Sequence, residues 1–330
     1  MEALLKRNST VDIAKGIGII LVFLGHSFHF PGIYITGGIE HYIWSLIYSF
    51  HMPLFFFISG LLSNTDRNIN LNKFYVGKLK RLAVPYLVIN LIDFVPRTLF
   101  PSLVNSKFGG IKEVLFYGTK ISWFVYTLFI IFMIFPFLDK WILKKDKYYF
   151  FGIFLIILNY FKIFEKVEIF SLNVVVEYSI YFYLGYIIKP FYKEKIIKGI
   201  GSKNTTFLGI GGIFLVFSYK YFYLNLFNNI VFALLGILFV LNISLRIKED
   251  SIICNFFKFC GINSLSFYLI EGFIAVVYRV TLVKIIPIEY RFLLPGIFFI
   301  LKVATAYIVV KLMIVRNSTL SFLLGASAEK

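Results

Sequence analysis

Long apolar segments recur along the whole chain, and they limit its fold more than any other feature. Apolar residues make up 59% of the 330 residues and charged residues only 15%, whereas soluble proteins average about 25% charged residues. A helix that spans a membrane needs about 17–25 mainly apolar residues. We therefore predict an all-α, polytopic integral membrane protein with about ten spans, at residues 13–30, 42–62, 82–104, 121–138, 148–164, 172–189, 205–219, 227–245, 262–283 and 292–313.

The basic residues are distributed as in a membrane protein rather than a nucleic-acid-binding protein. The net charge is +17. If the N-terminus is cytoplasmic, roughly two thirds of the 34 Lys and Arg residues lie in or beside cytoplasmic segments, as the positive-inside rule predicts. We expect a multi-pass protein of the plasma membrane with both termini in the cytoplasm, the lipid bilayer as a partner, and no nucleic-acid partner.

The polar segments between the spans are short. The longest are residues 63–81, 105–120, 190–204 and 246–261, and the last of these is expected to be a cytoplasmic loop. The first apolar segment carries Lys15 and His26 and lacks a small-residue cleavage site, so it is interpreted as a retained helix rather than a signal peptide. We expect a single transmembrane domain over residues 1–330 with no appended extracellular domain.

Lys15 and His26 lie in the first apolar segment. Eleven residues of helix separate them by roughly 16 Å. Ionisable side chains inside a bilayer usually face the protein interior or a water-filled cavity and mark function. An imidazole there can act as a general base or as a nucleophile, and the sequence leaves both roles open. Asp12 lies three residues before Lys15, so the two are expected to pair on one helix face.

Beyond the first span, one histidine, His51, and three carboxylate residues, Asp93, Glu177 and Glu271, fall within predicted spans. Carboxyl groups in such positions should be protonated, paired or hydrated. Glu271 is the preferred second catalytic candidate, and His51 is a candidate substrate contact. The spacing of the His, Cys and carboxylate residues indicates no metal site.

A basic segment follows the second span and contains Lys78, Lys80 and Arg81. Apolar and basic residues alternate here in a helical pattern, which is typical of an amphipathic helix at the membrane surface. On the cytoplasmic side, these cations would attract and bind the phosphates of a soluble anionic donor. The alternative for the lysines is a contact with lipid headgroups that serves topology alone.

The chain resembles the acyltransferase-3 family of integral-membrane acyltransferases, because several of that family's motifs occur here in the expected order. They are Asp12 followed by Lys15 with ten residues before His26, FHMPLFFFISGLL in the second span, Lys78-Leu-Lys-Arg81 with Pro85 soon after, ISWFVYTL with Trp123, YSIYFYLGY, and GINSLSFYLI.

Two positions depart from the family pattern. Lys78 stands where Arg is common, and Lys lacks the bidentate fork of a guanidinium group. Glu271 stands where the family often has a His. It either replaces that residue or marks a subgroup with another acceptor.

The resemblance implies an acyltransferase that transfers groups other than aminoacyl groups, with O-acetyl transfer expected. The donor substrate would be acetyl-CoA or another acyl-CoA, with no bound cofactor, and the acceptor a hydroxyl of an envelope carbohydrate or lipid-linked sugar. The candidate residues are His26, Lys15 and Glu271 for catalysis, Arg81, Lys78 and Lys80 for binding the donor, and His51, Asp12 and Trp123 for binding substrate.

Two other classes of protein are weighed against the enzyme. Intramembrane His, Asp and Glu residues also serve proton-coupled transporters, here an exporter of a small organic acid or an acylated sugar. Such transporters are commonly built from internal repeats, and the sequence shows none. A structural subunit of a polysaccharide assembly complex would leave the ordered motifs unexplained. The acyl chain length, the acceptor hydroxyl and the oligomeric state are left open.

Overall fold

The computed structural model describes residues 9–28, 39–63, 70–99, 110–141, 148–189, 212, 226–287, 290 and 293–327. All regular structure in these ranges is helical. We number the helices α1 (Ser9–Ser27), α2 (Ile39–Leu61), α3 (Leu71–Lys78), α4 (Val84–Leu99), α5 (Trp123–Trp141), α6 (Tyr148–Tyr160), α7 (Leu172–Ile188), α8 (Leu226–Arg246), α9 (Ile252–Ile262), α10 (Ser264–Ile285), α11 (Leu294–Val309) and α12 (Ser318–Leu324).

The described helices confirm an all-α membrane architecture. Five segments are long and apolar enough to cross a membrane: Ser9–Ser27, Glu40–Leu61, Ile169–Ile188, Ser264–Leu282 and Leu294–Ile314. Shorter apolar helices, among them α5, α6 and α8, coincide with three more of the predicted spans. The total of ten remains a prediction, because α4, at the third predicted span, is not among these apolar segments, and the seventh span, 205–219, lies outside the described residues except for Gly212.

Helix α1 lies at the centre of the described bundle and packs against α2, α8, α9, α10 and α11. Its apolar side chains are correspondingly buried, with Phe23 and Ala14 fully inaccessible to solvent. A polar side chain on α1 is therefore surrounded by other helices, and it needs either a partner or an opening between them.

The segment that the sequence assigns to the last cytoplasmic loop contains a helix, α9, so the prediction of a loop there is wrong in part. This helix packs closely along α1 at two glycines. A Cβ on Gly16 would overlap the carbonyl oxygen of Phe257, and one on Gly261 would overlap that of Asp12. Small residues allow such close helix contacts inside membrane proteins. At 11 residues, α9 is too short to span a bilayer, which is why hydropathy alone does not detect it.

A second close contact joins α2 to α7, again through two glycines. A Cβ on Gly60 would overlap the carbonyl oxygen of Phe182, and a Cβ on Gly185 would overlap that of Phe57. Gly60 belongs to the ISG sequence of the second span and Gly185 to the YLGY sequence of α7. These two motif residues therefore have a packing function, since only a residue without a side chain lets the backbones approach this closely.

The short helix α12 is held against the start of α10 by side-chain-to-backbone hydrogen bonds. The Ser266 hydroxyl donates to the carbonyl oxygen of Leu324 at 2.8 Å. The Asn263 side-chain oxygen accepts from the backbone N–H of Ser327 at 3.0 Å. The polar residues of the GINSLSFYLI motif thus anchor the segment that follows the last span.

Candidate active site

His26 and Glu271 form a hydrogen-bonded pair, although they are 245 residues apart in the sequence. The Nδ1 atom of His26 lies 2.9 Å from the Oε2 atom of Glu271. His26 is the penultimate residue of α1, and Glu271 lies on α10. The carboxylate is buried, whereas the His26 side chain is 39% exposed. One imidazole nitrogen therefore contacts a buried carboxylate, and the side chain as a whole is partly exposed.

Lys302 completes a chain of three ionisable side chains. It lies on α11 and is fully buried. Its Nζ atom donates to the Oε1 atom of Glu271 at 2.5 Å and to the carbonyl oxygen of Phe23 at 3.1 Å. The same Nζ lies 4.4 Å from the centroid of the Phe298 ring. Both carboxylate oxygens of Glu271 thus have a partner, which a buried ion pair needs in order to offset its loss of hydration.

Helix α2 contributes two more side chains beside His26. The ring of Tyr48 lies against Gly25, where a Cβ would be 3.0 Å from the ring. The His51 ring is buried, its centroid is 4.8 Å from that of Tyr48, and its Nδ1 donates to the carbonyl oxygen of Ile47 at 2.7 Å. His51 is close enough to His26 for their charges to repel each other. The sequence-predicted residues His26, His51 and Glu271 are therefore brought into one region.

Four rings follow one face of α2 towards this region. Successive ring centroids are 6.0, 4.5 and 4.8 Å apart. The four residues are His41, Trp44, Tyr48 and His51, which we call the α2 ring ladder. Its spacing of three or four residues keeps the rings on one side of the helix.

Lys15 pairs with Asp12 rather than with His26. Their Nζ and Oδ1 atoms are 2.8 Å apart, so the expected pairing on one face of α1 is confirmed. Both residues lie in the N-terminal half of α1, whereas His26 is at the other end, roughly 16 Å away along the helix axis. A direct catalytic role for Lys15 beside His26 gains no support from this arrangement.

The basic segment packs on α5. The Nζ atom of Lys78 lies 3.3 Å from the centroid of the Phe132 ring, a cation–π contact. Burial, together with the nearby charge of Arg81, lowers the pKa of Lys78 to about 7. Lys80 and Arg81 are exposed and lie on the π-helical turn that joins α3 to α4. The three cations are therefore close together in sequence but differ in their access to solvent.

Trp123 begins α5 and is partly buried against α7. Its ring centroid is 5.4 Å from that of Tyr178. The next residue, Phe124, packs against Tyr268 of α10, with ring centroids 5.4 Å apart. Since Tyr268 is one helical turn before Glu271, the first turn of α5 adjoins the region of the His26–Glu271 pair.

Helix α5 therefore connects two of the predicted sites. Phe124 adjoins the helix that carries Glu271, and Phe132 supports the ammonium group of Lys78. Eight residues of helix separate these two phenylalanines by about 12 Å. The remaining intramembrane carboxylates lie elsewhere, with Asp93 buried on α4 and Glu177 exposed on α7.

Comparison with known proteins gives one result. The acyltransferase-3 family model, described as an acyltransferase domain, matches residues 8–314. The chain belongs to this family. The suspected resemblance is thereby confirmed, and the protein is a membrane acyltransferase that acts on an acceptor substrate. Neither a curated protein nor a solved structure matches the chain.

Two residues of the acyltransferase's candidate site were missed by reasoning from the sequence. Lys302 is a cation near the middle of an apolar span, and this is a signal for function in its own right, although nothing in the sequence identifies Glu271 as its partner. Tyr48 carries no such signal, because the chain contains 22 tyrosines and only its contact with Gly25 distinguishes it.

Proposed function

We propose that this acyltransferase moves an acetyl group from acetyl-CoA to a hydroxyl of a cell-envelope sugar or polysaccharide precursor, with His26 as the general base. The observation that supports this most is the 2.9 Å contact between His26 and the buried carboxylate of Glu271. A carboxylate–imidazole pair is the arrangement that many acyl-transferring enzymes use to activate a hydroxyl group. The other His26 nitrogen, Nε2, would then receive the proton of the acceptor hydroxyl.

The proposed step begins with the acceptor hydroxyl at Nε2 of His26. As the hydroxyl oxygen attacks the thioester carbonyl carbon, its proton passes to Nε2. The tetrahedral intermediate then collapses, the C–S bond breaks, and the CoA thiolate leaves and takes the proton from the imidazolium. The products are the O-acetyl ester and CoA, and the imidazole returns to its neutral form. General base catalysis of this kind typically contributes about 10²–10⁴-fold to the rate.

Glu271 has two functions in this proposal. Its carboxylate orients the imidazole and holds the proton on Nδ1, which leaves Nε2 as the basic nitrogen. It also stabilises the imidazolium that forms during the step. Lys302 holds the other carboxylate oxygen and thereby fixes the direction of the carboxylate towards His26.

His26 can instead act as a nucleophile, which is the second form of the proposal. In this form Nε2 attacks the thioester, CoA leaves, and a transient acetyl-imidazole passes the acetyl group to the acceptor. The same Nε2 atom and the same contact with Glu271 serve both routes. They differ in one observable, because only the nucleophilic route labels the protein when acetyl-CoA is added without an acceptor.

The basic segment is proposed to hold the donor. The phosphates of acetyl-CoA would bind Lys78, Lys80 and Arg81 through charge-assisted hydrogen bonds. The pantetheine arm is a long flexible chain that separates those phosphates from the thioester. Helix α5 adjoins both regions, with an axial separation of about 12 Å between its two contact residues, so the arm would run along α5 towards His26.

The acceptor is proposed to approach along the α2 ring ladder. Aromatic side chains offer flat apolar faces and, in Trp and Tyr, polar edges, a combination suited to a sugar ring. The ladder ends at His51, beside His26. Trp123 would contribute a further face of the same kind, because it begins the helix that adjoins Tyr268 and Glu271.

The test is the turnover of labelled acetyl-CoA by purified protein in nanodiscs, with envelope glycans or lipid-linked sugars as acceptors. We expect transfer by the wild type, a loss of about 10²–10⁴-fold in His26→Ala with donor binding retained, and weaker donor binding in Arg81→Ala. Lys166→Ala, which removes an exposed cation elsewhere, is the control for Arg81 and should behave as wild type. Absence of acetyl-CoA binding by folded wild-type protein would overturn the proposed donor and favour the alternative function, a transporter.

A further inference from the structure

Arg279 is a cation inside the membrane domain for which the described residues provide no carboxylate partner. It lies on α10, eight residues or about 12 Å beyond Glu271. Its Nε atom is buried and has no hydrogen-bond partner, and among the described residues its guanidinium group makes no ion pair. An intramembrane arginine is energetically costly and usually serves a function. A buried charged donor without an acceptor adds a further cost of its own.

The side chain of Arg279 is partly buried and lies near the candidate active site. It is close enough to Lys302 for the two cations to repel each other. Along α10 it is seven residues, or two helical turns, after Gly272 and therefore shares its face. Gly272 faces the segment that leads into α5, where a Cβ would lie 3.4 Å from Ile121. Arg279 thus lies two helical turns along α10 from the contact between α10 and the start of α5, which adjoins Glu271.

Glu271, the carboxylate of the candidate site, cannot readily neutralise Arg279. Glu271 already uses Oε1 for Lys302 and Oε2 for His26. Among the described residues, this part of the site has one carboxylate for two buried or partly buried cations, Lys302 and Arg279, and thus an excess of positive charge. An anion supplied from outside the chain would remove the excess and provide the missing acceptor at Nε.

We propose that Arg279 binds an oxyanion, a phosphate or a carboxylate, carried by the acceptor substrate. The planar guanidinium group presents two parallel N–H donors to such a group. Identifying the anion's carrier as the acceptor rests on the proposed function. The acceptor class is then an anionic glycan, or a sugar linked to a lipid through phosphate. Its anionic group lies at Arg279 and its reacting hydroxyl at His26.

A phospholipid headgroup is the other source of the same chemistry. Arg279 is six residues from the end of α10 at Ile285, and long cationic side chains near helix ends can extend to the lipid phosphates. The buried Nε atom and the proximity to Lys302 favour an inward direction instead. The experiment therefore varies the lipid as well as the protein.

The test measures binding of decyl glucosyl phosphate to the purified protein in phosphatidylcholine nanodiscs, with neutral decyl glucoside as the matched ligand. Arg279→Gln is compared with Lys284→Gln, which removes an exposed cation five residues along the same helix. We expect Arg279→Gln to bind the phosphate ligand about 10- to 100-fold more weakly, with its affinity for the glucoside unchanged. Arg279→Lys, which keeps the charge and loses the fork, should give an intermediate loss.

Equal binding of the phosphate ligand by wild type and Arg279→Gln overturns the proposal. If wild-type affinity falls to that of Arg279→Gln when phosphatidylglycerol replaces phosphatidylcholine, a lipid headgroup occupies the site and the assignment to the acceptor is wrong. Acetyl-CoA turnover is measured on the same preparations. If Arg279→Gln loses phosphate binding but the wild type shows no turnover, the anion site is upheld and the proposed function is rejected. If the wild type turns over acetyl-CoA but Arg279→Gln binds the phosphate ligand as well as the wild type does, the proposed function is upheld and the anion site is rejected.

Discussion

At the scale of single residues, Glu271 links the other ionisable side chains of the candidate site. It is buried, and its two oxygens bind different groups, the imidazole of His26 and the ammonium of Lys302. Removing one member of a buried ion pair leaves a charge without compensation, whereas removing both leaves neutral groups. The energetic coupling between Glu271 and Lys302 is therefore measurable through stability as well as activity.

We predict that Lys302→Met and Glu271→Gln each destabilise the protein by about 3–5 kcal/mol. The double variant should lose less than the sum of the two, with a coupling of about 1–3 kcal/mol. The stability of all three variants and the wild type is measured by unfolding in detergent, with the fraction of monodisperse protein as the readout. Strictly additive losses would contradict the ion pair.

Lys78 gives a prediction about pH. Its ordinary pKa of 10.5 is lowered by burial to about 7, so in the free protein its charge is present at pH 6 and largely lost at pH 8. If the ammonium binds donor phosphate, acetyl-CoA affinity should fall as the pH rises through 7. Lys78→Arg keeps its charge throughout and controls for ionisation of the donor itself. An identical pH dependence in both proteins would show that Lys78 does not bind the phosphates.

Part of the candidate site was predictable from the sequence. The rest was not, because it depends on contacts between helices that are distant in the sequence. The Asp12–Lys15 pair follows from helical periodicity, since residues three apart share a face. The His26–Glu271 pair joins α1 to α10 across 245 positions, and no local pattern determines which two helices pack together. His26 and Glu271 were identified individually as costly intramembrane groups, but their contact, and the addition of Lys302, required the structure.

At the scale of helices, close contacts through glycine explain much of the sequence pattern. Gly60 and Gly185 allow α2 and α7 to meet, and Gly16 and Gly261 allow α1 and α9 to meet. The apolar runs predict most of the described helices, because length and hydropathy are local properties. They do not predict α9, whose burial comes from packing on α1 and not from crossing the membrane.

We predict that Gly60→Ala lowers the unfolding temperature, because the added methyl group would overlap the Phe182 carbonyl oxygen and push α2 away from α7. Gly296→Ala is the matched control in α11, since a Cβ there has nothing within 4 Å. It should be neutral or slightly stabilising, as Ala is the better helix former. Thermal unfolding of both variants in the same detergent measures the difference, and equal midpoints would contradict the close contact.

At the scale of the whole molecule, the proposed donor and acceptor regions meet at His26 from different directions. The basic segment, on the predicted cytoplasmic side, lies against the middle of α5. The α2 ring ladder instead runs along α2 and ends at His51. This arrangement depends on the predicted orientation, with both termini in the cytoplasm.

The orientation is tested by labelling single cysteines in intact cells with a membrane-impermeant maleimide, after Cys254 and Cys260 are replaced by Ala. We expect Glu249→Cys and Thr319→Cys, at two exposed positions, to react only after the membrane is opened, because the positive-inside rule places the 246–261 segment and the C-terminal end in the cytoplasm. Lys112→Cys, in the 105–120 segment predicted outside, should react in intact cells. The reverse pattern would place the basic segment on the wrong side for a cytoplasmic donor.

The most direct test of the central claim is a kinetic cycle on the His26–Glu271 pair. Acetyl transfer at saturating acetyl-CoA and acceptor is measured for wild type, His26→Gln, Glu271→Gln and the double variant. Because the two side chains act as one unit, we predict a loss of about 10²–10⁴-fold in His26→Gln, a large loss in Glu271→Gln, and a double variant no slower than the slower single variant. Transfer that survives in His26→Gln, or losses that multiply in the double variant, would contradict catalysis by this pair.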